Sequence, residues 1–166
     1  MNRFSAFVAR RDVIVALTAV ALFPALSHDA LAQSDPLTGT WKLNLAKSTY
    51  NPGPAPKSAS LTYRSQGQNV LRIAEGVDAE GKPTKSQWEH VYDGKPYATP
   101  GVADYDTSSY TRVDPRTVSF SRIRAGKAVQ AGLIAVSADG RTMTISTAGT
   151  DAKGQQTVNV AVYDKQ

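Results

Sequence analysis

Trp88, His90 and Tyr92 recur at every second position, with Glu89 and Val91 between them. Alternation of that period sends all three to one face of a β-strand. If the face is an interior one, they form a wall of apolar bodies with polar tips, the composition of a small-molecule pocket. The plainer reading makes His90 a packed or surface histidine between two packing aromatics. Arg122 shares the phase of Val118 and Phe120, so strict alternation turns a guanidinium toward the core. Such burial is costly unless an acidic ligand or a carboxylate faces the charge. Arg122 is therefore the candidate anion-holding residue. The competing reading ends the strand at Ser121 and lets Arg122 splay into solvent beside Arg124.

Arg112, Arg116, Arg122, Arg124 and Lys127 are opposed locally only by Asp114. A basic patch of this kind attracts anionic lipid or polysaccharide, or steers an acidic ligand. The aromatic residues that interleave with cations on a single-strand nucleic-acid platform are missing, so nucleic acid is not expected as a partner. A solvated hairpin end is the default for such a run.

Catalysis finds little support. His90 is the only histidine beyond residue 32, which is too few for a two-histidine metal site, and there is no Gly-x-Ser-x-Gly turn and no glycine-rich phosphate loop. Glu75, Asp78 and Glu80 surround a turn, and Lys82 and Pro83 fall where a calcium loop needs a ligand and a glycine. The chain has no cysteine, which excludes disulfides, thiolate metal sites and cysteine nucleophiles. No catalytic residue, metal or cofactor is assigned. An isomerase or hydrolase using His90 as a base in a barrel mouth is the weakest of the readings considered.

The elements that must position these residues begin after a leader. Arg3, Arg10 and Arg11 precede an uncharged run from Val13 to Leu26, and Ala30-Leu31-Ala32 follows as a small-x-small cleavage pattern. The run is short for a membrane-spanning helix and contains Pro24. Residues 1–32 are therefore expected to be a signal peptide, leaving 33–166 as one domain, periplasmic or secreted, with no transmembrane segment once the signal is removed. Arg10-Arg11-Asp12-Val13-Ile14 also fits a twin-arginine signal, but Ala9 replaces the usual Ser or Thr, which favours the general secretory route. The whole chain of 166 residues is 41% hydrophobic with a net charge of +5, ordinary for one globular domain with a core of its own.

From Ser60 onward short β-type runs alternate with turn chemistry at Gly67, Gly81, Gly94, Pro100-Gly101, Asp114-Pro115, Gly126, Gly140 and Gly154. The Asp-rich turns suit hairpins built on a type I turn with a following glycine bulge. These signals separate nine strands, and Gly39 to Asn44 supplies a tenth. With an even number, the first and last strands can pair antiparallel and close the sheet, which abolishes exposed edges. The expected fold class is all-β, an antiparallel up-and-down barrel of eight to ten strands, with a two-sheet sandwich as the alternative. Pro52, Pro54 and Pro56 forbid a helix in the segment from Leu45 to Ser58 and predict an extended strap across one end. Trp41 is expected to plug the closed end, and Ala131 and Ala135 to leave one interior wall thinly filled.

The segment Gly39-Thr40-Trp41-Lys42-Leu43-Asn44, the Pro52-Gly53-Pro54 loop and the tail Val162-Tyr163-Asp164-Lys165-Gln166 together resemble the lipocalin and fatty-acid-binding protein superfamily. The likeness is greatest to its secreted bacterial lipocalin-like members and spans residues 39–166. The departures are specific. The proline-rich segment cannot form the helical lid of fatty-acid-binding proteins, and Ala161 stands where they carry a lipid-holding Arg. No Arg follows Arg141 to cover Trp41, as one does in many lipocalins. The resemblance implies a carrier of a small apolar or amphipathic ligand; the chain is expected to be a monomer, and strand alternation places Trp88, His90 and Tyr92 on the wall with Arg122 as polar anchor. The rival is an envelope interaction or inhibitor module that works through its loops on a filled barrel.

Overall fold

The computed structural model describes residues 35–166; the expected leader at 1–32 lies outside the described residues. Eleven strands follow in order: β1 Gly39–Leu43, β2 Thr49–Asn51, β3 Ser58–Gln66, β4 Asn69–Val77, β5 Pro83–His90, β6 Asp93–Ala98, β7 Thr107–Asp114, β8 Thr117–Arg124, β9 Lys127–Val136, β10 Thr142–Thr150 and β11 Gln156–Lys165. Every pairing is antiparallel, in the order β5-β4-β3-β1-β11-β10-β9-β8-β7-β6, with β2 added beside β11. Ten strands thus form a nearly closed up-and-down barrel. Among the described residues no helix is long and apolar enough to cross a membrane.

Alternation sets which side chains fill it. On β8, Val118 and Phe120 are buried between half-buried Ser119 and Ser121, and on β10 Met143, Ile145 and Thr147 are buried between residues that are not. Turn chemistry sets the register. Ala125 and Gly126 both take positive φ, 48° and 75°, which marks a type I′ turn joining Arg124 to Lys127.

The first and last strands pair as the even strand number requires, Trp41 opposite Lys165 and Leu43 opposite Tyr163. The barrel nevertheless keeps a seam, because β5 and β6 are consecutive in sequence and are not paired with each other. Their link is Val91-Tyr92. The expected turn at Asp93-Gly94-Lys95 instead starts β6, where the register slips between Asp93 and Pro96. Pro96 has no N–H to donate, and an edge strand is where a sheet tolerates that. The loop after β6 fills part of the seam: a Cβ on Gly101 would lie 2.9 Å from the Lys85 carbonyl oxygen of β5.

Two further expectations change. A single 3₁₀ turn, Leu45–Lys47, precedes the prolines, and the strap begins as β2 paired to β11. The prolines act only from position 52 onward and leave that turn free to form. Ala131 and Ala135 face outward with Leu133, while Gln130, Gly132, Ile134 and Val136 carry the interior phase of β9. At Gly132 the space a side chain would occupy is taken by the Ser146 carbonyl and by Phe120, so no wall is left thin there.

Candidate functional site

Interior polar groups gather around one small cavity. It measures about 10 Å³ and is bounded by Tyr63, Arg72, Tyr110, Phe120, Arg122, Ile134 and Ile145. That volume holds about one water molecule. Arg72 reaches it from β4, where Val70, Arg72 and Ala74 share one phase, and only 9% of the residue is exposed. Its Nε donates to the Tyr63 hydroxyl at 3.4 Å, and its guanidinium carbon lies 4.4 Å from the centre of the Trp88 ring. Arg122 is half-buried at the same cavity. Its Nη1 donates to Gln130 Oε1 at 2.7 Å, and its guanidinium lies over the rings of Tyr105 and Phe120 at 4.7 and 4.8 Å. β8 runs to Arg124, so the strand does not end at Ser121 and Arg122 keeps the interior phase. Among the described residues neither guanidinium is paired with a carboxylate; the ion pairs found are Lys47–Asp164, Lys85–Glu75, Lys95–Asp93 and Arg112–Asp35.

Trp88 and His90 point inward from β5, with 5% and 1% exposed. His90 stacks on Tyr110 at 4.0 Å between ring centroids and meets Tyr92 and Tyr97 edge-on at 5.5 and 6.5 Å. Trp88 Nε1 and both His90 ring nitrogens find no hydrogen-bond partner among the described residues. Burial, then the positive charge of Arg72, pushes the His90 pKa down to about 4, so the imidazole is neutral near pH 7. Burial likewise pushes the Tyr110 hydroxyl up to about 12.

Tyr92 shares their phase but not their surroundings. It follows β5 at the opposite end of the barrel from Arg122, and its hydroxyl donates to Asp35 Oδ2 at 2.9 Å. Arg112 binds the same oxygen at 2.5 Å and lies over the Tyr92 ring at 3.9 Å. Leu37, whose N–H donates to Asp35 Oδ1, and Trp41, whose indole donates to the Leu37 carbonyl at 2.8 Å, complete this closed end. Lys165 covers the Trp41 ring at 5.0 Å, in the place where many lipocalins use an Arg.

The other end is a mouth. Tyr50, Pro54 and Pro56 of the strap, the turns at Asp78–Glu80 and Asp151, and Asp104 line a cleft of about 340 Å³. Arg124 ties this end together by donating to the carbonyls of Asp104 and Asp151. Tyr105, next to Asp104 of the cleft, packs its ring against the Arg122 guanidinium. The expected basic patch is thereby dispersed: Arg112, Arg122 and Arg124 are engaged within the fold, and only Arg116 and Lys127 remain exposed ends.

The structure therefore brings Trp88 beside Arg72 and places Arg122 on the same cavity; His90 is one residue pair further along the seam, and Tyr92 belongs to the closed end. The site also includes Arg72, which the sequence reading does not contain, although its phase with Val70 and Ala74 is the same signal that marks Arg122.

A meander of ten antiparallel strands, first paired to last and plugged by a Trp on the first strand, is a barrel of the lipocalin and fatty-acid-binding protein type. Solved structures of that type match the chain. Zebrafish ileal bile-acid-binding protein complexed with cholic acid aligns over 79% of this chain and 99% of its own, with 9% identity and a TM-score of 0.51. As-p18, an extracellular fatty-acid-binding protein, aligns over 80% and 97% with 14% identity and a TM-score of 0.49. Lobster apocrustacyanin A1 aligns over 81% and 63% with 13% identity and a TM-score of 0.43. No family model and no curated protein matches the chain.

Proposed function

We propose that this protein is an exported, monomeric carrier that holds a small, partly apolar anion inside the barrel, with the acid group on Arg72 and Arg122. The observation that carries the reading is the pair of guanidiniums on one interior cavity with no carboxylate paired to them among the described residues. Bringing two cations out of water without a counter-charge is unfavourable, and a bound acid offsets it. The bile-acid-binding neighbour, complexed with cholic acid, supports the reading by analogy of fold. The leader expected at residues 1–32 supports an envelope or extracellular setting.

The cavity holds no more than a water as it stands, so an organic ligand must enlarge it. Arg122 is the side chain placed to move: it is half-buried, and it packs on Tyr105, the neighbour of Asp104 in the mouth cleft. A ligand with its acid on the arginines would lay its apolar remainder against Tyr105 and the strap residues Tyr50, Pro54 and Pro56.

The test is a titration with 1-anilinonaphthalene-8-sulfonate, a fluorescent apolar anion. Saturable binding at one site, lost in Arg72→Met and in Arg122→Met, is the expected result. Absence of binding, or binding indifferent to both substitutions, overturns the reading. The filled interior favours a second reading in that event, an interaction module that uses the strap and mouth loops on an inert scaffold. A base at His90 loses its premise, because the imidazole is enclosed in the seam and does not stand in the mouth.

A further inference from the structure

The cavity shared by Arg72 and Arg122 has both a charge and a size, and the two together select its occupant. Both guanidiniums line it, one from β4 and one from β8, and the rest of its wall is aromatic or aliphatic. A guanidinium stays protonated at any pH a folded protein meets, so burial cannot neutralise it as it neutralises an imidazole. Arg72 is 9% exposed and uses one N–H on the Tyr63 hydroxyl at 3.4 Å; Arg122 uses one on Gln130. Neither partner is a carboxylate. Among the described residues the ion pairs found leave out both arginines, and the carboxylates of the mouth cleft, Asp78, Glu80, Asp104 and Asp151, pair with neither.

The cavity, about 10 Å³, takes something the size of one water. A water satisfies N–H groups but brings no charge, so the cost of enclosing two cations is left standing. A carboxylate brings the charge but needs more room than the walls leave. A halide ion meets both demands: it is monatomic, close to a water in size, and accepts charge-assisted bonds from any direction. The Tyr63 hydroxyl accepts from Arg72 Nε, which leaves its own proton to donate. We propose that this cavity is a chloride site, in which one ion is held by Arg72 and Arg122 before any organic ligand binds. Larger anions such as sulfate are excluded while the walls stand as they do. The inference uses the same two arginines as the anion reading above and adds the resident that an organic acid would displace, but it does not need that acid to exist.

The experiment follows urea unfolding of the purified protein at neutral pH while sodium sulfate is replaced by sodium chloride at constant ionic strength. Sulfate stabilises folded proteins in general, so the exchange lowers stability unless chloride binds the folded state. Raising chloride from about 1 to about 100 mM is expected to lower the unfolding equilibrium constant at least about fivefold, along a saturating curve. Arg72→Met and Arg122→Met are each expected to abolish the gain. No gain in the wild type overturns the inference, because a water then suffices in the cavity. A gain that survives both substitutions overturns it too, because chloride then binds elsewhere. Should neither variant fold, chloride NMR of the wild type decides: the protein is expected to broaden the chloride line, and a line it leaves sharp overturns the inference. The two readings fail separately. A chloride response without binding of 1-anilinonaphthalene-8-sulfonate supports the halide site and overturns the carrier, and binding of that probe without a chloride response does the reverse.

Discussion

His90 lies against Tyr110 with ring centroids 4.0 Å apart and planes at 30°, and neither of its nitrogens reaches a partner among the described residues. The groups facing it are Arg72 and Arg112, which oppose a positive imidazole, and Asp35, which favours one. Burial is the largest effect, the two arginines add to it, and together they outweigh Asp35.

A pH dependence of stability follows. The imidazole titrates at about 6.5 in the unfolded chain and at about 4 in the folded one. Between those values the unfolded state binds the extra proton, so stability is full above pH 6.5 and falls as the pH drops toward 4. The size is on the order of 3 kcal/mol over the window. Urea unfolding at pH 7, 5.5 and 4.5 measures it, and His90→Phe is expected to flatten the profile above pH 4.5. The exposed carboxylates held below their ordinary values, Asp93, Asp114, Asp139 and Asp164, act only at lower pH and do not confuse the comparison.

Arg112 and Asp35 tie the segment before β1 to β7, and their side chains are only 26% and 16% exposed. The Lys85–Glu75 pair between β5 and β4 is 69% and 51% exposed. Screening by water separates the two cases. A double-mutant cycle of Asp35→Asn with Arg112→Met is expected to show a coupling of about 1–3 kcal/mol, and the same cycle at Glu75 and Lys85 less than about 0.5 kcal/mol. Equal couplings would show that the closed end is as wet as the outer wall.

Gly132 marks a point where β9, β10 and Phe120 pack too closely for a side chain. A Cβ there would meet the Ser146 carbonyl of β10 and come within 2.7 Å of Phe120 Cζ. Gly132→Ala is expected to cost about 1–3 kcal/mol in urea unfolding. Adding Phe120→Leu should recover only part of that loss, because the Ser146 oxygen belongs to the backbone and cannot turn aside. Full recovery would place the whole strain on the aromatic ring.

These residues also show what a sequence can reveal of such a barrel. The phase of Val118, Phe120 and Arg122 is legible because strand alternation is local, but alternation leaves the strand's end open, and only the structure decides between an inward Arg122 and one splayed into solvent beyond Ser121. Pairing of β1 with β11 followed from the strand count. The outward face of Ala131 and Ala135 is hidden in the sequence, because Gly132 between them has no side chain to declare the interior phase and Leu133 is an outward apolar residue. The seam was hidden, since which neighbours pair depends on the bulge at Asp93–Pro96 and on a loop packed from across the gap. How fully the interior is filled depends on where Phe120, Tyr110 and two arginines turn, which no period reports.

Arg72 gives the last prediction, in which stability and binding move apart. Its guanidinium is enclosed, makes one long hydrogen bond and stacks on Trp88, with no carboxylate paired to it among the described residues. Replacing a buried charge by an apolar side chain of similar length removes a desolvation cost, and such replacements are often neutral or stabilising. Arg72→Met is therefore expected to leave the ligand-free protein as stable as the wild type, or up to about 2 kcal/mol more so, in urea at pH 7. The same substitution should weaken binding of 1-anilinonaphthalene-8-sulfonate by at least about tenfold, which is the loss of one charged partner. A structural arginine behaves in the opposite way: its loss would destabilise the fold by about 3 kcal/mol or more and leave the affinity of the surviving folded protein unchanged.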